Sequence, residues 1–113
     1  MTTRSRRVAP LRVAIAADRG LRLYAEGHRC CTRVGIARAR QLASGAPVSD
    51  ETIRRMVSYF ARHAVDRRPG WGKRVTPGYV AWLMWGGDPG RAWAKRELHL
   101  IQLRELQEAR ARS

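Results

Sequence analysis

Apolar residues between positions 11 and 44 recur every three or four residues in two segments, a spacing typical of amphipathic helices. The first segment covers residues 11–25 and starts after Pro10, which suits the first turn of a helix. The second covers residues 32–44, where Thr32 is a candidate N-cap and Gly45 a candidate terminator. We therefore predict two short helices joined by a brief turn.

The clearest helical pattern follows Ser49, a favoured N-cap residue. Asp50 and Glu51 place negative charge at the positive end of this helix. The core-facing positions repeat at helical spacing and are Ile53, Met56, Val57, Phe60, Ala61 and Ala64. We expect the helix to end at the Arg-Arg-Pro-Gly sequence of residues 67–70.

Residues 79–85 form an apolar run without a polar face. Thr76 and Pro77 before the run match a helix start, and Gly86 and Gly87 after it match a helix end. We predict a buried helix of two turns. A buried strand is the alternative, because periodicity cannot distinguish the two structures in so short a run.

A long helix is predicted for residues 88–110, starting at the potential cap Asp88 and the proline after it. Its apolar face is expected to be wide and to contain Trp93, Leu98, Leu100, Ile101, Leu103 and Leu106. Two pairs of opposite charge four residues apart, Arg104 with Glu108 and Glu108 with Arg112, are expected on its surface.

The chain has 113 residues, of which 44% are hydrophobic, and this is enough for one core but not for two domains. We predict an all-α fold, a small single-domain bundle of about four to five helices with a long C-terminal helix. Residues 1–9 are expected to form a flexible basic arm, and residues 10–113 the helical domain.

The longest uninterrupted apolar run has only seven residues, from Tyr79 to Trp85, so we expect no membrane segment. Cys30 and Cys31 are adjacent and cannot crosslink distant parts of the fold, which is typical of reduced, intracellular thiols. His28 lies nearby, but a structural zinc site needs a second ligand pair that this sequence lacks. We therefore expect neither a metal site nor a cofactor.

Few side chains are suited to catalysis. Most acidic residues are explained by helix caps or surface pairs, which leaves His63 and Asp66 near the end of the third helix. Such a pair more often forms a local hydrogen bond than a general acid and base. No nucleophile elbow, zinc-protease motif or phosphate-binding loop occurs. We expect a protein without enzymatic activity.

Two features leave alternatives open. The connection at residues 44–49 has the size of a helix-turn-helix corner, but the acidic start of the third helix disfavours DNA reading and favours a structural corner. Four tryptophans lie among glycines between residues 70 and 93, where they either fill the core or form a contact surface. Trp71 and Trp93 are the candidates for an exposed aromatic surface.

The net charge is +14, with 23 Lys and Arg against nine Asp and Glu. Only two of the basic residues are lysine, and arginine grips phosphate or carboxylate at two points, although a GC-rich genome would also favour arginine. Residues 1–45 contribute +8. The candidate residues for binding a polyanion or a protein partner are Arg4, Arg6, Arg7, Arg12, Arg19, Arg22, Arg33 and Arg40.

Three stretches together resemble a module of tailed-phage and prophage proteins, some of which belong to the head region. They are GIARARQL at residues 35–42, SDETIRRMVSYFAR at residues 49–62 with His63 and Asp66 after it, and GYVAWLMWGGDPGRAWA at residues 78–94. The resemblance covers about residues 33–96. It implies a phage context and no catalytic residues. The cysteine pair departs from the Gly-rich stretch expected before the module.

Two function classes follow. The first is a non-enzymatic phage virion structural protein, such as a head accessory, cement or minor capsid protein, which docks through its arginine-rich arm and helical surfaces. The second is a DNA-binding protein that grips phosphates without reading sequence. The expected partners are virion proteins with acidic surfaces or DNA phosphates, in a homo-oligomer or a larger assembly. The expected location is the virion, and the host cytoplasm before assembly.

Overall fold

The computed structural model describes residues 7–67 and 69–113. The described residues form five α-helices, and the fold is 74% helical, which confirms the all-α prediction. The helices are α1 (Leu11–Ala25), α2 (Arg33–Ser44), α3 (Asp50–His63), α4 (Pro77–Met84) and α5 (Gly87–Arg112), with a 3-10 turn (Ala64–Asp66) after α3. The described residues contain no strand beyond one isolated bridge between Val8 and Pro47.

Three helices begin at the hydroxyl caps that the sequence predicts. The side chains of Thr32, Ser49 and Thr76 each accept a hydrogen bond from the backbone N–H three residues later, at 3.1 to 3.3 Å. Each hydroxyl satisfies a donor that a helix start leaves unpaired. Helix α2 ends as predicted at Gly45, whose φ of 75° lies in the left-handed region that favours glycine.

The apolar run before the double glycine is helical, so the strand alternative is excluded. Helix α4 packs against α1, α2 and α5. Its side chains Val80, Trp82 and Met84 are buried; Val80 and Met84 share one face of the helix, and Trp82 lies on the opposite face. A helix that is buried on most sides needs no polar face, which explains the lack of amphipathic pattern.

The start of α5 differs from the prediction. Its N-cap is Gly86, with a φ of 110°, and Asp88 lies inside the first turn without capping it. A Cβ atom at Gly86 would lie 2.8 Å from Val13 Cγ1 and 2.9 Å from the Cα atom of Gly90. The close approach of α1 to this corner and the backbone geometry therefore both require glycine.

The core lies where α1 packs on α2, α4 and α5, and where α3 packs on α5. In α3, Tyr59 is buried although the predicted stripe omits it, while Ala61 is exposed. The wide apolar face expected on α5 is narrower, because Leu100, Leu103 and Leu106 are exposed. All residues of α5 after Arg104 are exposed, so the last turns of the helix project from the bundle, and the molecule is 52 Å long against 30 and 22 Å in its other dimensions.

Arg7 to Ala9, which the sequence assigns to the basic arm, pack on the bundle. The backbone N–H of Val48 donates to the carbonyl of Arg7 at 2.8 Å, and Ala9 is buried. The Arg7 guanidinium lies 2.9 Å from Asp50 and 3.0 Å from Glu97. Residues 7–9 are therefore not part of a flexible arm, because ion pairs and a β-bridge hold them on the bundle. The other residues of the predicted arm, including Arg4 and Arg6, lie outside the described residues.

Candidate functional site

The candidate arginines on α1 and α2 fall into two groups. Arg12, Arg19, Arg33 and Arg40 are exposed and form no ion pair with any acidic side chain in the described part of the chain. Arg22 pairs with Asp18 at 2.8 Å, one turn earlier on the same helix. The structure therefore leaves four of these cations available to a partner, whereas Arg7 is already neutralised by two carboxylates.

The acidic residues are almost fully used inside the molecule. All nine lie in the described ranges, and eight of them form an ion pair with an arginine or with His63. Only Glu26 has no such pair within residues 7–67 and 69–113. Six arginines take part in these pairs, so fourteen of the 20 described basic side chains have no acidic partner in the chain.

The two candidate surface tryptophans occupy different environments. Trp93 is 5% exposed and belongs to the core cluster, which excludes it from an exposed aromatic surface. A ring as large as that of tryptophan is expected to be buried in a small helical domain, because it supplies much of the core's apolar surface. Trp71 is half-buried and packs edge-on against Trp82, with 5.5 Å between the ring centroids. It contributes to the wall of a pocket.

This pocket, which we call the aromatic pocket, has a volume of about 600 Å³ and lies between α3, α4 and the start of α2. Its aromatic wall consists of Tyr59, Trp71, Trp82 and Trp85. Tyr59 stacks on Trp85 with 4.5 Å between ring centroids and 7° between planes, and His63 covers the other side of Tyr59. The Arg38 guanidinium lies 5.3 Å from the centroid of the Trp85 ring. These four side chains form one continuous stack.

The polar groups of the aromatic pocket are mostly donors. The Tyr59 hydroxyl, the Trp71 indole and the Trp85 indole have no hydrogen-bond partner among the described residues. Arg55 and Arg62 also line the pocket. Indole and guanidinium groups donate hydrogen bonds but accept none. Burial, with a smaller contribution from the nearby Asp66 carboxylate, raises the pKa of Tyr59, so its hydroxyl stays protonated and able to donate.

Arg38 is half-buried behind the pocket. It donates to Gln41 and Thr52, while its Nε atom is buried without a partner in the described structure. Burial, followed by repulsion from Arg55, lowers the pKa of the Arg38 guanidinium. Guanidinium groups from both α2 and α3 therefore lie at or behind the pocket.

The remaining titratable pair is local. His63 Nδ1 lies 3.1 Å from the Asp66 carboxylate, and both side chains are about half exposed. Three residues of α3 line the aromatic pocket although the sequence analysis did not select them, namely Arg55, Tyr59 and Arg62. They are spaced four and three residues apart, which places them on one helix face beside the apolar stripe. This spacing is the feature of the sequence that could have identified them.

Cys30 and Cys31 lie at the edge of the aromatic pocket. Cys30 Sγ also lies 3.8 Å from Met84 Sδ. In the described ranges no group of three or more His, Cys, Asp or Glu side chains could hold a metal ion. None of the helices in these ranges is long and apolar enough to cross a membrane.

Comparison of the chain with protein-family models, with curated proteins and with solved structures finds no match. The chemistry of the chain therefore has to be inferred from its own side chains.

Proposed function

We propose that this chain is a non-enzymatic structural protein of a tailed-phage particle, of the head accessory, cement or minor capsid type. It docks on an acidic protein surface through the exposed arginines of α1 and α2. The phage context rests on the resemblance of residues 33–96 to the phage and prophage module. The docking mode rests on one structural observation, the surplus of arginines without an acidic partner.

The charge distribution supports docking on an anionic surface. Because eight of the nine acidic side chains form ion pairs within the chain, few carboxylates carry an unbalanced charge that would repel an acidic partner. Four exposed arginines of α1 and α2 form no ion pair in the described residues, so their guanidinium groups are available to a carboxylate; they are Arg12, Arg19, Arg33 and Arg40. Such a surface attracts an acidic partner over about a Debye length, ~8 Å at physiological salt.

Helix α5 supports membership of an assembly. Its exposed leucines, at positions 100, 103 and 106, recur every three residues along the projecting end of the helix. Apolar residues at this spacing share one side of a helix over two turns. A helix that extends beyond its own bundle with an apolar side suits contact with a neighbouring subunit.

The decisive experiment is quantitative mass spectrometry of purified particles from the phage or induced prophage that carries this gene. We expect the protein at a fixed copy number relative to the major capsid subunit. Its absence from washed particles would refute a virion role.

The docking surface can be tested with two variants of equal charge. The first variant carries Gln in place of the four docking arginines, Arg12, Arg19, Arg33 and Arg40. The second carries Gln in place of four arginines elsewhere, Arg74, Arg96, Arg110 and Arg112. We expect the first variant to be lost from particles and the second to be retained. Equal loss of both variants would show that only total charge matters and would contradict a defined surface.

Binding to DNA is a second candidate, favoured by the same unpaired arginines, because guanidinium groups bind phosphate as readily as carboxylate. It predicts that purified protein shifts duplex DNA of random sequence, with a steep loss of affinity as salt rises. Strong binding at physiological salt, together with absence from particles, would favour this function over the structural one.

A further inference from the structure

The aromatic pocket is separate from the docking arginines of α1 and α2, and nothing in the proposed function uses it. Its volume of about 600 Å³ falls within the range of about 300 to 1,000 Å³ typical of small-molecule sites. We propose that it binds a small aromatic anion of the nucleoside monophosphate type, with the ring packed on the aromatic wall and the phosphate at the arginines.

The unpaired donors specify the polarity of the ligand. Tyr59 is 6% exposed, yet its hydroxyl has no hydrogen-bond partner in the described part of the chain and borders the pocket. The indole N–H groups of Trp71 and Trp85 also have no hydrogen-bond partner in the described part of the chain, and both residues line the pocket. An occupant that displaces water from these groups leaves the donors unpaired unless it brings acceptors of its own. A nucleobase and a phosphate together provide them.

The arginines specify the charge of the ligand. Arg62 bonds only to the Ser58 hydroxyl among the described residues, and Arg55 pairs with the largely exposed Glu51. Asp66 is the one acidic residue on the pocket lining, and it already pairs with His63. The two lining guanidinium groups, with Arg38 behind Trp85, therefore outweigh the negative charge. A phosphate accepts hydrogen bonds from an arginine at two points.

The wall specifies the shape of the ligand. Four aromatic side chains surround the cavity, and their ring planes are fixed by contacts among themselves, such as the Tyr59–Trp85 stack. A flat ring can pack on such a rigid aromatic wall with little loss of conformational freedom. An apolar side chain from a protein partner would fill the space but would leave the three donors unpaired.

The experiment is a titration of the whole protein, labelled with ¹⁵N, with adenosine monophosphate. The four indole N–H resonances of the protein provide an internal control. We expect saturable shifts of the Trp71 and Trp85 resonances and none of the Trp93 resonance, because Trp93 lies in the core away from the pocket. Adenosine and inorganic phosphate, each half of the ligand, should bind at least tenfold more weakly.

A matched pair of variants tests the phosphate contact. Arg62→Gln should weaken binding of adenosine monophosphate at least fivefold, whereas Arg110→Gln, which removes the same charge at the far end of α5, should not change it. Unchanged Trp82 and Trp93 resonances in the free variants would show that the fold is intact.

Three results would overturn the proposal. The first is the absence of saturable shifts with millimolar adenosine monophosphate. The second is equal affinity for adenosine or for inorganic phosphate, which would mean that the site does not recognise the ring and the anion together. The third is equal weakening by Arg62→Gln and Arg110→Gln, which would indicate attraction by total charge rather than a built site.

Discussion

Asp50 joins three parts of the chain. Its carboxylate accepts from Arg104 of α5 and pairs with Arg7 of the N-terminal segment, while the residue itself occupies the first turn of α3. The hydrogen bond from Arg104 is the main reason that the pKa of Asp50 lies below its usual value, and the bond from Arg7 adds to it. A carboxylate with a lowered pKa stabilises the fold at neutral pH, because the folded state favours its charged form.

Replacing Asp50 by Asn should lower the free energy of unfolding at pH 7 by about 1 kcal/mol, since the pairs are partly exposed and the helix N-terminus also favours a negative charge. The loss should shrink as the pH falls below about 4, where protonation of Asp50 removes the same interactions from the parent protein. Chemical denaturation at a series of pH values measures this.

Glu51→Gln is the control for Asp50, because it removes an exposed pair with Arg55 on the same turn of the helix. It should cost at most about 0.5 kcal/mol. An equal effect of the two substitutions at pH 7 would contradict the special position of Asp50.

Two buried helical glycines differ in the space around them. A Cβ atom at Gly20 would lie 2.9 Å from the backbone nitrogen of Met84, while one at Gly35 would have no neighbour closer than 3.5 Å. Gly20→Ala should therefore destabilise the protein by about 1 to 3 kcal/mol, because α1 and α4 must separate. Gly35→Ala should be neutral or stabilising by up to about 1 kcal/mol. Thermal unfolding of both variants measures the difference, and a more stable Gly20→Ala variant would contradict the close contact.

At the scale of elements, the corner between α4 and α5 depends on one side chain that the sequence predicts as a helix cap. Asp88 accepts from the buried Trp82 indole at 2.9 Å and from Arg67 at 3.2 Å. The carboxylate therefore holds the end of α4 and the loop after α3 at the start of α5. The capping position is occupied by Gly86, because the close contact with α1 leaves no room for a side chain there.

Asp88→Ala should cost about 1 to 3 kcal/mol, because it leaves the Trp82 N–H buried without an acceptor. Asp88→Asn should cost less, since its amide oxygen can still accept this bond. Urea denaturation of both variants tests the order. If Asp88→Asn lowers the free energy of unfolding as much as Asp88→Ala does, the charge of Asp88 stabilises the fold rather than its hydrogen bond to Trp82.

At the scale of the whole molecule, the net charge of +14 is unevenly distributed over the surface, because acidic partners neutralise some arginines and not others. The acids hold the bundle together through pairs between segments, such as Arg54 with Glu105 and Arg7 with Glu97. They leave four arginines of α1 and α2 without an ion pair in the described residues, namely Arg12, Arg19, Arg33 and Arg40. Repulsion among unopposed charges destabilises a compact fold. These arginines are therefore better explained by a partner than by stability.

Two single variants separate the roles of arginine. Arg7→Gln should lower the melting temperature, because it breaks two partly buried ion pairs, while Arg40→Gln should leave it unchanged or raise it slightly. Differential scanning fluorimetry at low salt measures both. A larger loss with Arg40→Gln would mean that the α2 arginines are structural.

The sequence by itself determined the features that depend on neighbouring residues. The all-α class, the three hydroxyl caps, the Gly45 terminator and the bounds of α1 and α2 follow from side chains that act within one helical turn. The excess of arginine is likewise a property of composition. Such features could be predicted because the interactions that cause them are local.

Only the tertiary structure decided which side chains meet across helices. It buries Trp93, exposes Leu103, pairs Arg7 with Glu97 and brings Tyr59 beside Trp85. No local pattern specifies these outcomes, because each depends on the angle and distance at which two distant helices pack. For the same reason the charge count could predict an anionic partner, whereas the aromatic pocket became visible only after α2, α3 and α4 were brought together.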